Sequence, residues 1–130
     1  MRASETTPVP LITIVHAGDS LCKALEDLIR SLGCRSLAFS SAEAFLASNA
    51  KQETPCLILD LEMPGLSGLD VHYRLAQMNY LIPPTIFLAG NDNELSERAL
   101  RQGAAAVLRK TSTGEDLLGA IKSALKPLGR

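Results

Sequence analysis

The run Cys56-Leu57-Ile58-Leu59 constrains this chain more than any other feature. Four consecutive apolar residues, bounded by Pro55 and Asp60, describe a strand buried on both faces, as in the interior of a parallel sheet. Leu11 to His16 also reads as a strand, buried over Leu11 to Val15, while Ser36 to Phe39 reads as a short strand and Thr85 to Ala89 and Ala105 to Arg109 as a fourth and a fifth. Between them the apolar period changes from that of a strand to that of a helix. Asp19 is placed to cap a first helix with the stripe Leu21, Leu25, Leu28, Ile29 and Leu32, and Gly33 is placed to end it. Ser40 and Glu43 are spaced as a capping box before Phe45 and Leu46. Ser67 and Asp70 open a third helix reaching about Asn79, and Asn91 and Glu94 a fourth ending near Gly103. Ser112 and Glu115 open a fifth with the stripe Leu117, Leu118, Ile121 and Leu125, closed by Pro127 and Gly129. Five strand–helix units with short connections predict an α/β domain, its parallel sheet covered by helices on both faces.

The composition fits one such unit. The chain has 130 residues, 46% of them hydrophobic, with no tryptophan and only five Phe and Tyr together, so the core must be mainly aliphatic. Residues 1–10 are polar and proline-flanked and read as a frayed tail, leaving 11–127 as the domain. A formal net charge of −1 argues against a broad nucleic-acid or membrane surface. No apolar run approaches the ~20 residues of a membrane span, and the N-terminus lacks the apolar stretch of a signal peptide, so the expected location is the cytoplasm. Cys22, Cys34 and Cys56 are odd in number and lack CxxC spacing, which predicts buried thiols rather than a disulfide or zinc site. Neither GxGxxG nor GxxxxGK[ST] occurs, so no phosphate-cradling loop supports a nucleotide or flavin.

In an open α/β sheet, chemistry is placed at the carboxyl ends of the strands. Those ends carry His16 and Ala17, Asp60, Ala89, and Lys110. Taken singly, Asp60 and Lys110 could be solvated strand terminators. His72, on the third helix, reads as an exposed polar residue.

The segments LILDLEMPGLSGLDV, PPTIFLAG and GAAAVLRK together resemble the receiver domain of two-component response regulators, over about residues 9 to 126. The resemblance rests on Asp60-Leu61-Glu62-Met63-Pro64-Gly65, on Ser67-Gly68, and on Lys110 placed after Gly103-Ala104. It implies a flavodoxin-like, doubly wound (βα)5 fold with strand order 2-1-3-4-5. It also implies that Asp60 stands at the position that accepts a phosphoryl group from a histidine kinase. Lys110 would pair with Asp60, and the backbone carbonyl of Glu62 would stand at a magnesium-ligand position.

The sequence departs from that pattern where the metal and the switch belong. His16 and Ala17 align with the family's pair of acids, Ala89 with its threonine or serine, and Val107 with its mobile aromatic. Magnesium is a hard cation that wants oxygen ligands, and neutral imidazole suits it poorly. The expectation is therefore a degenerate receiver that is not an enzyme and holds no cofactor, magnesium binding being lost or weak. It would act through protein contacts, with a histidine kinase or an output domain as partner and homodimerisation as one mode. Its crevice would be closed by an Asp60–Lys110 ion pair, with no direct contact to nucleic acid or membrane. The expected contact face holds Leu95, Ala99, Arg101, Ala106 and Val107, with Leu118 and Lys122 beside it. Other readings stay open: a working phosphoacceptor at Asp60, a flavodoxin-like cofactor binder, and a transition-metal site on His16 and Asp60, for which two ligands are too few. Asp19 could replace a lost acid, although capping explains it more simply. Glu62 could reach Lys110 or Arg109, although a loop glutamate is ordinarily solvated.

Overall fold

A computed structural model describes residues 10–16, 18–49, 55–63, 66–90, 92–109 and 114–125. Five strands and five helices alternate: β1 (Leu11–Val15), α1 (Asp19–Ser31), β2 (Arg35–Phe39), α2 (Ala42–Ala47), β3 (Cys56–Asp60), α3 (Gly68–Gln77), β4 (Thr85–Ala89), α4 (Asn93–Arg101), β5 (Ala106–Arg109) and α5 (Gly114–Leu125). All strands are parallel, in the order β2-β1-β3-β4-β5. This is the flavodoxin-like arrangement the sequence implies.

The strand period divides the core into two layers. Ile12, Ile14, Cys56, Ile58, Ile86 and Leu88 pack with Leu25 and Ile29 of α1 and with Leu117 and Ile121 of α5. The alternate residues Val15, Leu57, Leu59, Phe87 and Ala89 pack with Phe45 of α2, Val71 and Leu75 of α3, and Ala99 of α4. The three central strands β1, β3 and β4 are buried along their whole length, which accounts for their mainly apolar character, broken only by Thr13, Asp60 and Thr85. Strand β2, at the edge, keeps the mixed exposure of a strand open to water.

Three helix starts differ from the sequence reading by one residue. Gly18, not Asp19, is the N-cap of α1, and it makes no side-chain cap bond. Asp19 is the first helical residue. Ser41, not Ser40, caps α2 by accepting from the Ala44 N–H. Asp92, not Asn91, caps α4 by accepting from the Leu95 N–H. In each case the pattern offers two adjacent capping candidates, and the strand-to-helix geometry selects between them. The Ser67–Asp70 capping box of α3 forms as expected. So does the stop after α1, where Gly33 takes a left-handed φ of 78°. Ser112, Pro127 and Gly129 lie outside the described residues.

None of the three cysteines forms a disulfide. Cys56 is buried, and burial pushes its thiol up to about 12, so it stays protonated and inert. Cys22 and Cys34 are only partly buried, contrary to the expectation of three buried thiols.

His72 is the clearest departure from the sequence reading. It is buried, not exposed. Its Nε2 lies 2.8 Å from the Thr85 hydroxyl, and its ring centroid lies 5.1 Å from that of Phe87. The Thr85 hydroxyl already donates to the Pro83 carbonyl, so His72 must be the donor in its own bond to Thr85. One hydrogen bond satisfies the inward edge of the ring, which is why a polar residue is tolerated there. Burial holds the His72 pKa below the usual histidine value. The unfolded chain therefore takes up this proton more readily than the folded one. Stability is expected to be full above the ordinary histidine pKa of about 6.5 and to fall as pH drops below it. Urea midpoints at several pH values, compared with those of His72→Gln, should show a smaller acid loss in the variant. Equal losses would contradict this account.

Candidate functional site

The order β2-β1-β3-β4-β5 reverses direction between β1 and β3, and ligand sites in such sheets lie in the crevice at the carboxyl ends of those strands. In the parallel register Val15 stands opposite Leu59. One residue further along, His16 faces Asp60. Both are buried, at 8% and 3% exposure.

Asp60 Oδ1 accepts the backbone N–H of Glu62 at 3.0 Å. Asp60 Oδ2 lies 3.2 Å from His16 Nε2. That distance is within reach of an ion pair, yet Nε2 makes no hydrogen bond among the described residues. The contact is best understood as electrostatic: an N–H edge turned towards a carboxylate. On its other side the ring is fixed, because Nδ1 accepts the Gly18 N–H at 2.7 Å.

The neighbouring positions frame this pair. Ala89, at the end of β4, is buried at 4% exposure and presents a methyl group. Val107 is half-buried and packs against the layer containing Phe87 and Ala89. Gly68 brings α3 against the site: a Cβ there would meet the Asp60 carbonyl oxygen at 2.9 Å and Phe87 at 2.8 Å. The Glu62 side chain is exposed and lies over Gly90, where a Cβ would meet its carboxylate at 2.6 Å. Arg109 donates to the Gly90 carbonyl at 3.3 Å. Ala17 and Lys110 lie outside the described residues, as does the side chain of Asp19, so the anticipated Asp60–Lys110 pair falls there too. No group of three or more His, Cys, Asp or Glu residues placed to hold a metal ion occurs among the described residues.

The anticipated contact face changes in one respect. Ala99 is fully buried in the α4 packing and offers no surface. Leu95, Ala106, Val107 and Leu118 are half-buried, and Arg101 and Lys122 are exposed. Leu100, 56% exposed, is an apolar surface residue of α4 that the sequence reading did not single out. Its helix carries apolar residues at 95, 99 and 100, and the period alone does not say which of the last two turns inward. Among the described residues no helix is long and apolar enough to cross a membrane.

The fold and this crevice define the flavodoxin-like class of α/β domain with a buried carboxylate at the strand-order switch. Residues 12–122 match the family described as the response regulator receiver domain, and the chain belongs to it. It is 44% identical over 117 residues to the response regulator protein TmoT of Ectopseudomonas mendocina, covering 89% of this chain and 53% of that protein. It is 37% identical over 122 residues to nodulation protein W of Bradyrhizobium diazoefficiens, covering 93% and 53%. The chain thus spans about half the length of these curated relatives. Among solved structures it resembles FixJ-N, with a TM-score of 0.82, 26% identity, and coverage of 95% of this chain and 99% of that one. It also resembles a receiver protein from Burkholderia phymatum, with a TM-score of 0.75, 31% identity, and coverage of 89% and 94%.

Proposed function

We propose that this chain, over residues 11–127, is an atypical receiver that signals through protein contacts and without magnesium-dependent phosphorylation. One observation carries the reading. At the strand end where a receiver needs carboxylates for a metal, a buried imidazole is turned onto Asp60. Magnesium takes near-octahedral oxygen at 2.0–2.1 Å and gives up its water reluctantly. Among the described side chains, the oxygens at the family's metal-ligand positions are those of Asp60, already engaged on both sides, with the Glu62 carbonyl beside them. Ala17 adds no donor side chain wherever it lies. These residues do not fit a magnesium site.

Asp60 and Lys110 keep the positions of the family's phosphoacceptor and lysine, while Ala89 and Val107 lack the hydroxyl and the aromatic of its switch. The domain is then a binding module rather than an enzyme. Its surface of Leu95, Leu100, Arg101, Ala106 and Val107 meets a kinase, an output domain or a second copy. Relatives named as transcriptional regulators, such as TdiR of Thauera aromatica, support an output tied to transcription. Direct DNA contact is assigned to another segment or protein, because this chain has no basic excess.

The test is a magnesium titration followed through the Glu62 amide, which is bonded to Asp60. It should show no saturable shift at physiological magnesium. Saturation in the low-millimolar range would overturn the reading and favour the working phosphoacceptor at Asp60. For the contact face, Val107→Asp combined with Arg101→Glu should abolish self-association or partner capture in a protein that stays folded. Unchanged association and capture would place the contact elsewhere.

A further inference from the structure

We infer that the His16 ring is itself the resident occupant of the cation seat on Asp60, and that Gly18 is the positioning residue that holds it there. This rests on the proposed atypical receiver and names the device that makes it so.

The chemistry of the ring's two nitrogens carries the inference. Nδ1 accepts the Gly18 N–H at 2.7 Å, so it bears no proton. A neutral imidazole then carries its proton on Nε2. That nitrogen faces Asp60 Oδ2 at 3.2 Å, in a side chain 9% exposed. Metal-bound histidines show the opposite pattern, with the far nitrogen donating to an acceptor so that the near one can give its lone pair. His16 therefore turns an N–H edge, and not a lone pair, towards Asp60 and the metal position. The same pattern argues against the two-ligand transition-metal reading as well as the magnesium one. Oδ1 accepts the Glu62 N–H and Oδ2 faces the imidazole, so both carboxylate oxygens already meet an N–H group.

Gly18 accounts for the fixed position of the ring. Its φ is −90°, which any residue can adopt, so backbone freedom does not explain a glycine here. Room does: a Cβ would stand 2.8 Å from His16 Cε1 and 3.3 Å from Nδ1. Any side chain at position 18 would push the ring out of its place.

The test reads the ring first and the metal second. Long-range proton–nitrogen spectra of the wild-type chain at pH 8 should show His16 protonated on Nε2. In Gly18→Ala, which alters no charge, the ring signals should move and the Glu62 amide should shift with them. A proton on Nδ1 in the wild type, or ring signals unmoved in Gly18→Ala, would overturn the inference. Manganese, used as a paramagnetic probe, should leave the Asp60 and Glu62 signals of the wild type unbroadened. It should bind His16→Asp at least about tenfold more tightly, as a carboxylate replaces a donor in the seat. If His16→Asp folds and binds no better than an inert wild type, this inference fails while the atypical receiver stands. If the wild type binds manganese saturably at Asp60, both fail. The two ring measurements decide the matter even if His16→Asp does not fold.

Discussion

Given a small phosphodonor such as acetyl phosphate together with magnesium, Asp60 is expected to become labelled at least about a thousandfold more slowly than a receiver carrying both acids. Phosphoryl transfer to a carboxylate concentrates charge on the non-bridging oxygens, and catalysis consists largely of cationic and hydrogen-bonding groups placed on them. A metal used as a Lewis acid is worth several kcal/mol, at ~1.4 kcal/mol per decade of rate. Ala89 removes a further hydroxyl donor worth about 1 kcal/mol. What the described residues set opposite Oδ2 is the His16 N–H edge at 3.2 Å, which is no substitute for a divalent ion. Mass spectrometry of the intact chain over time, with and without magnesium, measures both the rate and its metal dependence. Rapid, magnesium-accelerated labelling would show that the crevice can assemble a metal site after all.

The second large effect belongs to the core beneath the site. Phe87→Ala is expected to destabilise the fold by about 3–5 kcal/mol. Phe87 is fully buried, and its ring touches three things at once. It meets the α3 backbone at Gly68, the buried His72 ring at 5.1 Å, and the packing under α4. Few of these neighbours can collapse into the space left by the ring, because Gly68 has no side chain and His72 is tied to Thr85. The residual cavity therefore adds its own term to the lost transfer energy. Urea unfolding of the variant against wild type gives the number. A loss under about 1 kcal/mol would mean that α3 does not lean on this ring as described. The cavity should also let water reach His72, so that the acid sensitivity of the variant differs from that of the wild type.

These two effects lie on different sides of the boundary between what sequence and tertiary structure each determine. The strands were legible because burial on both faces leaves little room for alternation: Cys56 to Leu59 and Ile86 to Ala89 are continuous apolar runs, and they lie in β3 and β4. The five alternating units, their parallel pairing and the position of Asp60 at the end of a central strand all follow from such local patterns. The helix starts were legible only to within a residue, because Ser40 and Ser41, or Asn91 and Asp92, are equally good caps as isolated residues. The burial of His72 departs from its sequence expectation for a related reason. Histidine at a helical position is compatible with either face, and its burial depends on Thr85, thirteen residues away, supplying an acceptor.

The site divides in the same way. Sequence determined which groups this chain owns: one carboxylate at Asp60, one imidazole at His16, and no second acid, hydroxyl or aromatic at positions 17, 89 and 107. It could not determine what His16 does, because 44 positions separate it from Asp60 and nothing local relates them. The register of β1 on β3 brings the two together, and the backbone at Gly18 turns the ring so that a proton, not a lone pair, faces the carboxylate. An inventory of side chains is written in the chain. Which atom of each meets which is set by strand register and by close backbone approach, and those exist only once the sheet has formed.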